Sequence, residues 1–255
     1  MKKILSAIFE SPFTTIMATG MTYLFYAMVL GISFFPSLYL VITAWEETGS
    51  IEAPLGVFLI ALSCGVAFFL FLAWGVIAIG VVIRLLSPGI KPGSYPLGSF
   101  TMFRWLLYSG LYNLAGHLIL QLIPMSFLHS LFFRLVGAKI GKNVRVNTWF
   151  LNDAYLLEIG DNVLIGGKTD ISCHTFEHGH LVLNRIKIGS HTAIGQRCYI
   201  SPGVTIGEKC VIGQYAFVRK NTEVLPRTVL SAIAGMPIRT VARIEKSGMP
   251  ETGTV

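Results

Sequence analysis

Residues 188–230 read IGSHTAIGQRCYISPGVTIGEKCVIGQYAFVRKNTEVLPRTVL. An aliphatic residue returns at every sixth position: Ile188, Ile194, Ile200, Ile206, Ile212, Val218, Val224 and Leu230. Gly often follows it, as at Gly189, Gly195, Gly207 and Gly213. Four residues beyond each aliphatic stands a small or β-branched residue: Thr192, Cys198, Val204, Cys210, Ala216, Thr222 and Thr228. A period of six matches neither the 3.6 of a helix nor the 2 of a strand. A short strand and a tight turn take about six residues, so three such units close one triangular coil with the aliphatic side chains stacked inside. Gly is expected to supply the turn conformations that other residues resist. Nearest-neighbour stacking then builds a solenoid.

The same spacing extends upstream. Ile159, Ile165 and Ile171 repeat it with Gly160 and Gly166, and Ile140 with Gly141 and Val146 makes an earlier fragment. The repeat breaks once, between Ile171 and Ile186, at SCHTFEHGHLVLNR (172–185). Solenoids tolerate such insertions on one face, often the functional one.

The first half is a different kind of sequence. Of 33 charged residues, residues 1–136 hold ten: Lys2, Lys3, Glu10, Glu46, Glu47, Glu52, Arg84, Lys91, Arg104 and Arg134. No charge falls between Glu10 and Glu46, or between Glu52 and Arg84. A spanning helix needs about 20 mostly apolar residues, and both stretches exceed that. Glu10 and the length of the run after it argue for a retained anchor rather than a cleaved signal. Lys2 and Lys3 before the first helix, and Arg84, Lys91 and Arg104 after the second, place both ends of the hairpin in the cytoplasm. A third apolar stretch, 105–133, carries Asn113, His117, Gln121 and His129 and is split by Pro124. It reads as two short interfacial or re-entrant helices, with a third span as the rival.

The fold expected is therefore a membrane α-helical N-terminal part plus an all-β left-handed parallel β-helix with a short C-terminal helix. A transmembrane hairpin and linker occupy 1–100, and interfacial helices 101–136. The β-helix occupies 137–232 with a loop at 173–187, and a closing turn, helix and tail occupy 233–255.

Over about residues 135–245 the chain resembles the hexapeptide-repeat acyltransferases, whose domain is a left-handed parallel β-helix. GMPIRTVARI (235–244) looks like that family's closing turn and helix, with Ile238 where Ala is usual. The run RWLLYSGLYNLAG (104–116), then LFFRLVGAKIGKNV (131–144) and LEIGDNV (157–163), is similar to the membrane-linked hexapeptide units at the end of poly-lysine synthases. The resemblance implies a homotrimer, an acyl thioester donor such as acetyl-CoA, and a loop His as general base. IGDNVLIGGKTDISCH (159–174) matches the family's order, with His174 in the position of the base.

His suits proton transfer near neutral pH. His178 is the second candidate and His180 a weaker one. Glu177 could orient a His, or be a solvated loop charge. Asp153, in the irregular NDAYL segment, could hold the base instead. His191, in a coil turn after IGS, reads as structural or surface. Cys173 neighbours His174 and could accept an acyl group, but the direct transfer from thioester to acceptor that the resemblance implies makes a structural thiol the simpler reading; Cys198 and Cys210 fall at inward positions. The fourteen Lys+Arg of the second half include Arg219, Lys220, Arg239 and Arg243, which could pair with the phosphates of a coenzyme A donor or face anionic lipid. Ser201 and Gly203 join Arg219, Lys220 and Arg239 as candidate donor-binding positions. Three His within HTFEHGH lack the spacing of a zinc site, so no metal is expected. No aromatic-interleaved basic stretch suggests nucleic acid.

Function then reads as transfer of an acyl group, most simply acetyl, to a hydroxyl or amine of an amphiphilic or lipid-linked acceptor. The setting is the bacterial inner membrane, with the β-helix in the cytoplasm. Two alternatives stand beside it. One is condensation of an aminoacyl or peptidyl thioester with an amine, the thioester coming from a carrier protein or synthetase. The other is a non-catalytic membrane scaffold.

Overall fold

The computed structural model describes residues 12–87, 90–231 and 239–241. Lys2, Lys3, Glu10, Arg243 and residues 242–255 lie outside the described residues. The chain divides into two compact units. The first comprises 1–138 with 176–182, the second 139–175 with 183–255.

The first unit is helical. Helix α1 covers Pro12–Thr48 with Pro36 inside it, and α2 covers Ala53–Leu86. The two pack through a stacked Phe34–Phe71 pair (4.2 Å between centroids), and Trp74 Nε1 donates to the Ile32 carbonyl at 3.0 Å. Thr19–Thr48 and Ala53–Leu86 are long and apolar enough to cross a membrane, by length and composition. Phe35, Tyr39, Phe58 and Phe69 point away from protein on these helices.

Two shorter helices follow, α3 (Phe100–Leu118) and α4 (Phe127–Leu135), separated by a 3-10 turn at Leu120–Leu122. Each starts at a serine cap. Ser99 accepts from the Met102 amide and Ser126 from the His129 amide, both at 3.1 Å. Such caps satisfy an orphan amide of the first turn. Gly80 of α2 lies against Leu135 and Phe132 of α4. Tyr108, Leu111, Tyr112, Phe132 and Phe133 form this unit's core.

The second unit is a parallel β-helix of three sheets. The first stacks Lys139–Ile140, Leu157–Ile159, Ile186–Ile188, Thr205–Ile206 and Glu223–Val224. The second stacks Arg145–Val146, Leu164–Ile165, Ala193–Ile194, Val211–Ile212 and Val229–Ser231. The third stacks Leu151–Asn152, Asp170–Ser172, Tyr199–Ile200 and Phe217–Val218. Ile188 pairs with Ile206, Ile194 with Ile212 and Ile200 with Val218, so one full coil consumes three hexads. Ile171, Ile194, Ile200, Ile206 and Val218 are almost wholly buried.

The position four residues on also points inward. There Thr169 donates to the Gly195 carbonyl (2.6 Å), Thr192 to Gly207 (3.0 Å), and the Cys198 thiol to Gly213 (3.0 Å). These side chains satisfy turn carbonyls of the next coil, which buried backbone groups require.

The glycines have a different role from the one expected. At nine of the turns the residue with positive φ is the third after the aliphatic and is not Gly: Asn143, Asn162, Lys168, His191, Arg197, Lys209, Tyr215, Asn221 and Arg227. Only after Ile200 does Gly203 (φ 78°) take that place. The glycine next to the aliphatic is needed for space. A Cβ on Gly166 would lie 2.6 Å from the Gln196 amide nitrogen of the next coil, and one on Gly189 2.6 Å from that of Glu208. His191 is thus a turn residue.

Two further features differ from expectation. Residues 173–187 hold a strand pair rather than a plain loop: His174–Glu177 and His180–Leu183, with His178 (φ 47°) and Gly179 (φ 75°) between them. Two central residues with φ > 0 are what a tight hairpin turn demands. Gly93–Pro96 adds to the same sheet beside His180–Leu183. The tip, 176–182, belongs to the first unit, where Phe176 meets the Trp105 ring edge-on at 5.6 Å. Arg239–Val241, expected within the closing turn and helix, instead forms a strand antiparallel to Val229–Ser231. It covers the edge of that sheet formed by Val229–Ser231.

Candidate active site

One corner of the β-helix gathers the chemistry. The turns that follow the third sheet begin, coil by coil, at Asp153, Cys173, Ser201 and Arg219. Asp153 leaves its strand in the left-handed region (φ 57°) and starts a 3-10 turn, Ala154–Leu156. In the next coil the corner opens into the strand pair, so His174 stands where a hexad turn would otherwise close. Asn184 returns the chain, its amide donating to the Cys173 carbonyl at 2.8 Å.

This topology brings Asp153 and His174 together across one coil. His174 Nδ1 lies 2.5 Å from Asp153 Oδ2. The Asp153 side chain is buried (1% exposed), while 22% of the His174 side chain reaches the surface. Ser172 Oγ donates to the His174 carbonyl at 3.0 Å and lies 3.4 Å from Nδ1. Asn152 Nδ2 donates to Asp170 Oδ1 at 3.0 Å. Tyr199, opposite Asp170 in the next coil, stacks on Phe217 at 5.4 Å. Asp170, Ser172, Asn152 and Tyr199 carry no chemical motif of their own. Only their place on the sheet beside His174 marks them.

The electrostatics favour a basic His. Burial pulls the His174 pKa down, but the hydrogen bond and charge of Asp153, with the charge of Asp170, outweigh it and leave it raised. Burial raises Asp170, partly offset by the Asn152 hydrogen bond and the charge of His174. Burial and the nearby Asp153 push the Cys173 thiol well above its ordinary value. A buried thiol of this kind is a poor nucleophile.

Glu177, His178 and His180 lie toward the hairpin turn, all three in the first unit. His180 Nδ1 lies 3.0 Å from the His178 carbonyl. Ser201, Gly203, Arg219 and Lys220 share the corner with Asp153 and His174. Their turns stack through the Asn221 amide, which donates to the Pro202 carbonyl at 3.0 Å. Arg219 is exposed and Lys220 half-buried, whereas Ser201 is buried. Arg239 is described by its backbone only. Among the described residues no group of His, Cys, Asp and Glu could hold a metal.

Residues 185–220 match the bacterial transferase hexapeptide family, six repeats. The match lies wholly within the β-helix. The chain is 29% identical over 171 residues to the delta-poly-L-ornithine synthetase of Acinetobacter baumannii (strain AB307-0294), covering 67% of itself and 12% of that protein. It is 36% identical over 113 residues to the galactoside O-acetyltransferase of Escherichia coli (strain K12), covering 41% of itself and 53% of that protein. It thus spans an eighth of one relative and about half of the other. Among solved structures, a hexapeptide-repeat acetyltransferase of Vibrio cholerae O1 biovar eltor complexed with acetyl coenzyme A aligns over 55% of this chain and 90% of its own. The TM-score is 0.41 and the identity 22%.

Proposed function

We propose that this chain is a membrane-bound acyltransferase whose base is His174. The observation that carries the reading is the Asp153–His174 pair at the open corner of the β-helix. Asp153 holds Nδ1, so Nε2 is the nitrogen that takes a proton. An acceptor hydroxyl or amine attacks the carbonyl carbon of an acyl thioester while Nε2 removes its proton. The new C–O or C–N bond forms, the C–S bond breaks, and the departing thiolate recovers the proton from His174 as a free thiol. Asp153 stabilises the transient imidazolium and fixes the tautomer. A backbone amide of the corner would supply the oxyanion donor.

The donor in this reading is acetyl-CoA or another acyl-CoA. Arg219 and Lys220 sit on the dyad's corner and suit its phosphates. The acceptor is amphiphilic or lipid-linked, because α1 and α2 can hold the domain at a bilayer. Arg84, Lys91 and Arg104 after α2 favour a β-helix on the cytoplasmic side of a bacterial inner membrane. The family likeness supports a homotrimer and a left-handed coil.

A second reading is favoured by one finding, the likeness to delta-poly-L-ornithine synthetase over two thirds of this chain. There the acceptor is an amine and the donor an aminoacyl or peptidyl thioester delivered by a carrier protein.

The test uses the full chain in detergent, offered acetyl-CoA or a carrier-protein thioester with hydroxyl and amine acceptors. Thioester loss with matching product is expected, and it should fall by roughly 10²–10⁴-fold in His174→Ala. Undiminished transfer by that variant overturns His174 as base. The donor consumed decides between the two readings.

A further inference from the structure

Neither carboxylate rung of the third sheet is explained by the repeat. Adjacent residues Asn152 and Asp153 on one coil face Asp170 and His174 on the next. Asn152 bonds Asp170 (3.0 Å) and Asp153 bonds His174 (2.5 Å). Ser172, between Asp170 and His174 in sequence, closes the cluster through its hydrogen bond to the His174 carbonyl. We propose that Asp170, held in place by Asn152, is a positioning residue that acts on His174 as a second carboxylate beside Asp153.

The case stands on burial and on the use of the carboxylate oxygens. Asp170 occupies an outward-facing site of a two-sided sheet, where a hexad needs no particular residue. It is nevertheless half-buried, and Asn152 holds Oδ1. An anion so placed is costly unless something compensates. Its compensation is Asn152 and the imidazolium that His174 becomes during proton transfer. The charge that burial makes expensive in the resting state is matched when His174 is positive. Asp153 sets the tautomer by direct contact, whereas Asp170 contributes charge without taking the proton. Around His174 stand Asp153 from the preceding coil and Asp170, Ser172 and Cys173 on its own coil, and Tyr199 of the following coil lies opposite Asp170. The Cys173 thiol and the Tyr199 phenol are both held neutral by burial first of all, so among these groups the charge comes from the two carboxylates.

This inference rests on the acyltransferase reading but is tested apart from it. The full chain, labelled with ¹³C-histidine and held in detergent, is titrated by NMR, with His174→Gln identifying the His174 signal. Asp170→Asn should lower the His174 midpoint by about one unit, the effect of removing one nearby opposite charge. Asn152→Ala keeps both carboxylates but releases Asp170, and should lower the midpoint by less. The pH profile of transfer should shift in the same direction in both variants. Should Asp170→Asn not fold, Asn152→Ala alone decides. An unmoved midpoint in every variant that folds overturns the proposal. If the wild-type chain transfers no acyl group, the functional reading fails, and the midpoints still judge Asp170.

Discussion

Asp153 Oδ2 and His174 Nδ1 lie 2.5 Å apart although 21 residues separate them in sequence. Stacking of successive coils makes that distance, since each residue of the corner sits above its counterpart one coil earlier. The buried carboxylate leaves Nδ1 one role, to carry the proton shared with Asp153.

Asp153→Asn keeps size and shape while removing the charge. The amide can present its NH₂ group to Nδ1 and favour the wrong tautomer. Turnover of the thioester should fall by roughly 10²–10⁴-fold with little change in folding. Steady-state kinetics with a circular dichroism melt checks both. Unchanged turnover would remove Asp153 from the dyad.

The pH dependence follows from the raised pKa of His174. A general base must be neutral, so the acid limb of kcat/KM should lie above the ordinary His range. In Asp153→Asn the limb should move down. The sign for stability is opposite. With the folded pKa raised, the dyad's contribution is fully present below the unfolded value and is lost as pH rises through the folded one. Activity should therefore increase over the interval in which this part of the stability declines, which parallel rate and melting series will show.

His129 gives an acid-sensitive point in the helical unit. It is buried beside Phe133, its ring nitrogens have no partner, and burial lowers its pKa to about 4. The folded form must stay neutral. Stability is present above the unfolded value and is lost as pH falls through that value toward 4. His129→Leu should flatten the thermal-melt curve over that window. A variant as acid-sensitive as the parent would show that His129 is not the group responsible.

Gly166→Ala drives a Cβ to 2.6 Å from backbone of the neighbouring coil, where nothing flexible can yield. A loss of about 1–3 kcal/mol is expected. Gly98→Ala meets nothing within 4 Å and should be nearly neutral. Melting temperatures of the pair in the same detergent compare them, and equal values would refute the close-approach account.

The solenoid could be read from the chain because its determinants are periodic. Ile188 to Leu230 each meet the same environment, so one substitution pattern recurs. The turn backbone could not be read so easily. Lys168, Arg197 and Tyr215 accept left-handed φ that intrinsic preference assigns to Gly or Asn, because stacked ladders on both sides of each turn dictate the path. Gly166 and Gly189 were readable as special residues, but the reason is the next coil, which lies 18 to 30 residues away in sequence. At the site, Asp153 and His174 stood out as irregularities in the repeat. Asp170 did not, since its contacts arise only when Asn152 arrives from the coil before. The strand at Arg239–Val241 was hidden for a similar reason, as its pairing with Val229–Ser231 is tertiary.

The chain passes between the two units three times, after 138, after 175 and after 182. No single cut therefore separates the β-helix unit from the helical one. A fragment beginning at Lys139 would carry Phe176 away from Trp105 and leave the strand that starts at His174 without its far end. Protein engineers seeking a water-soluble version must rebuild that hairpin's footing rather than delete the helices. Evolution faces the same constraint, since this β-helix cannot be exchanged as an independent cassette without carrying the tip's partners with it.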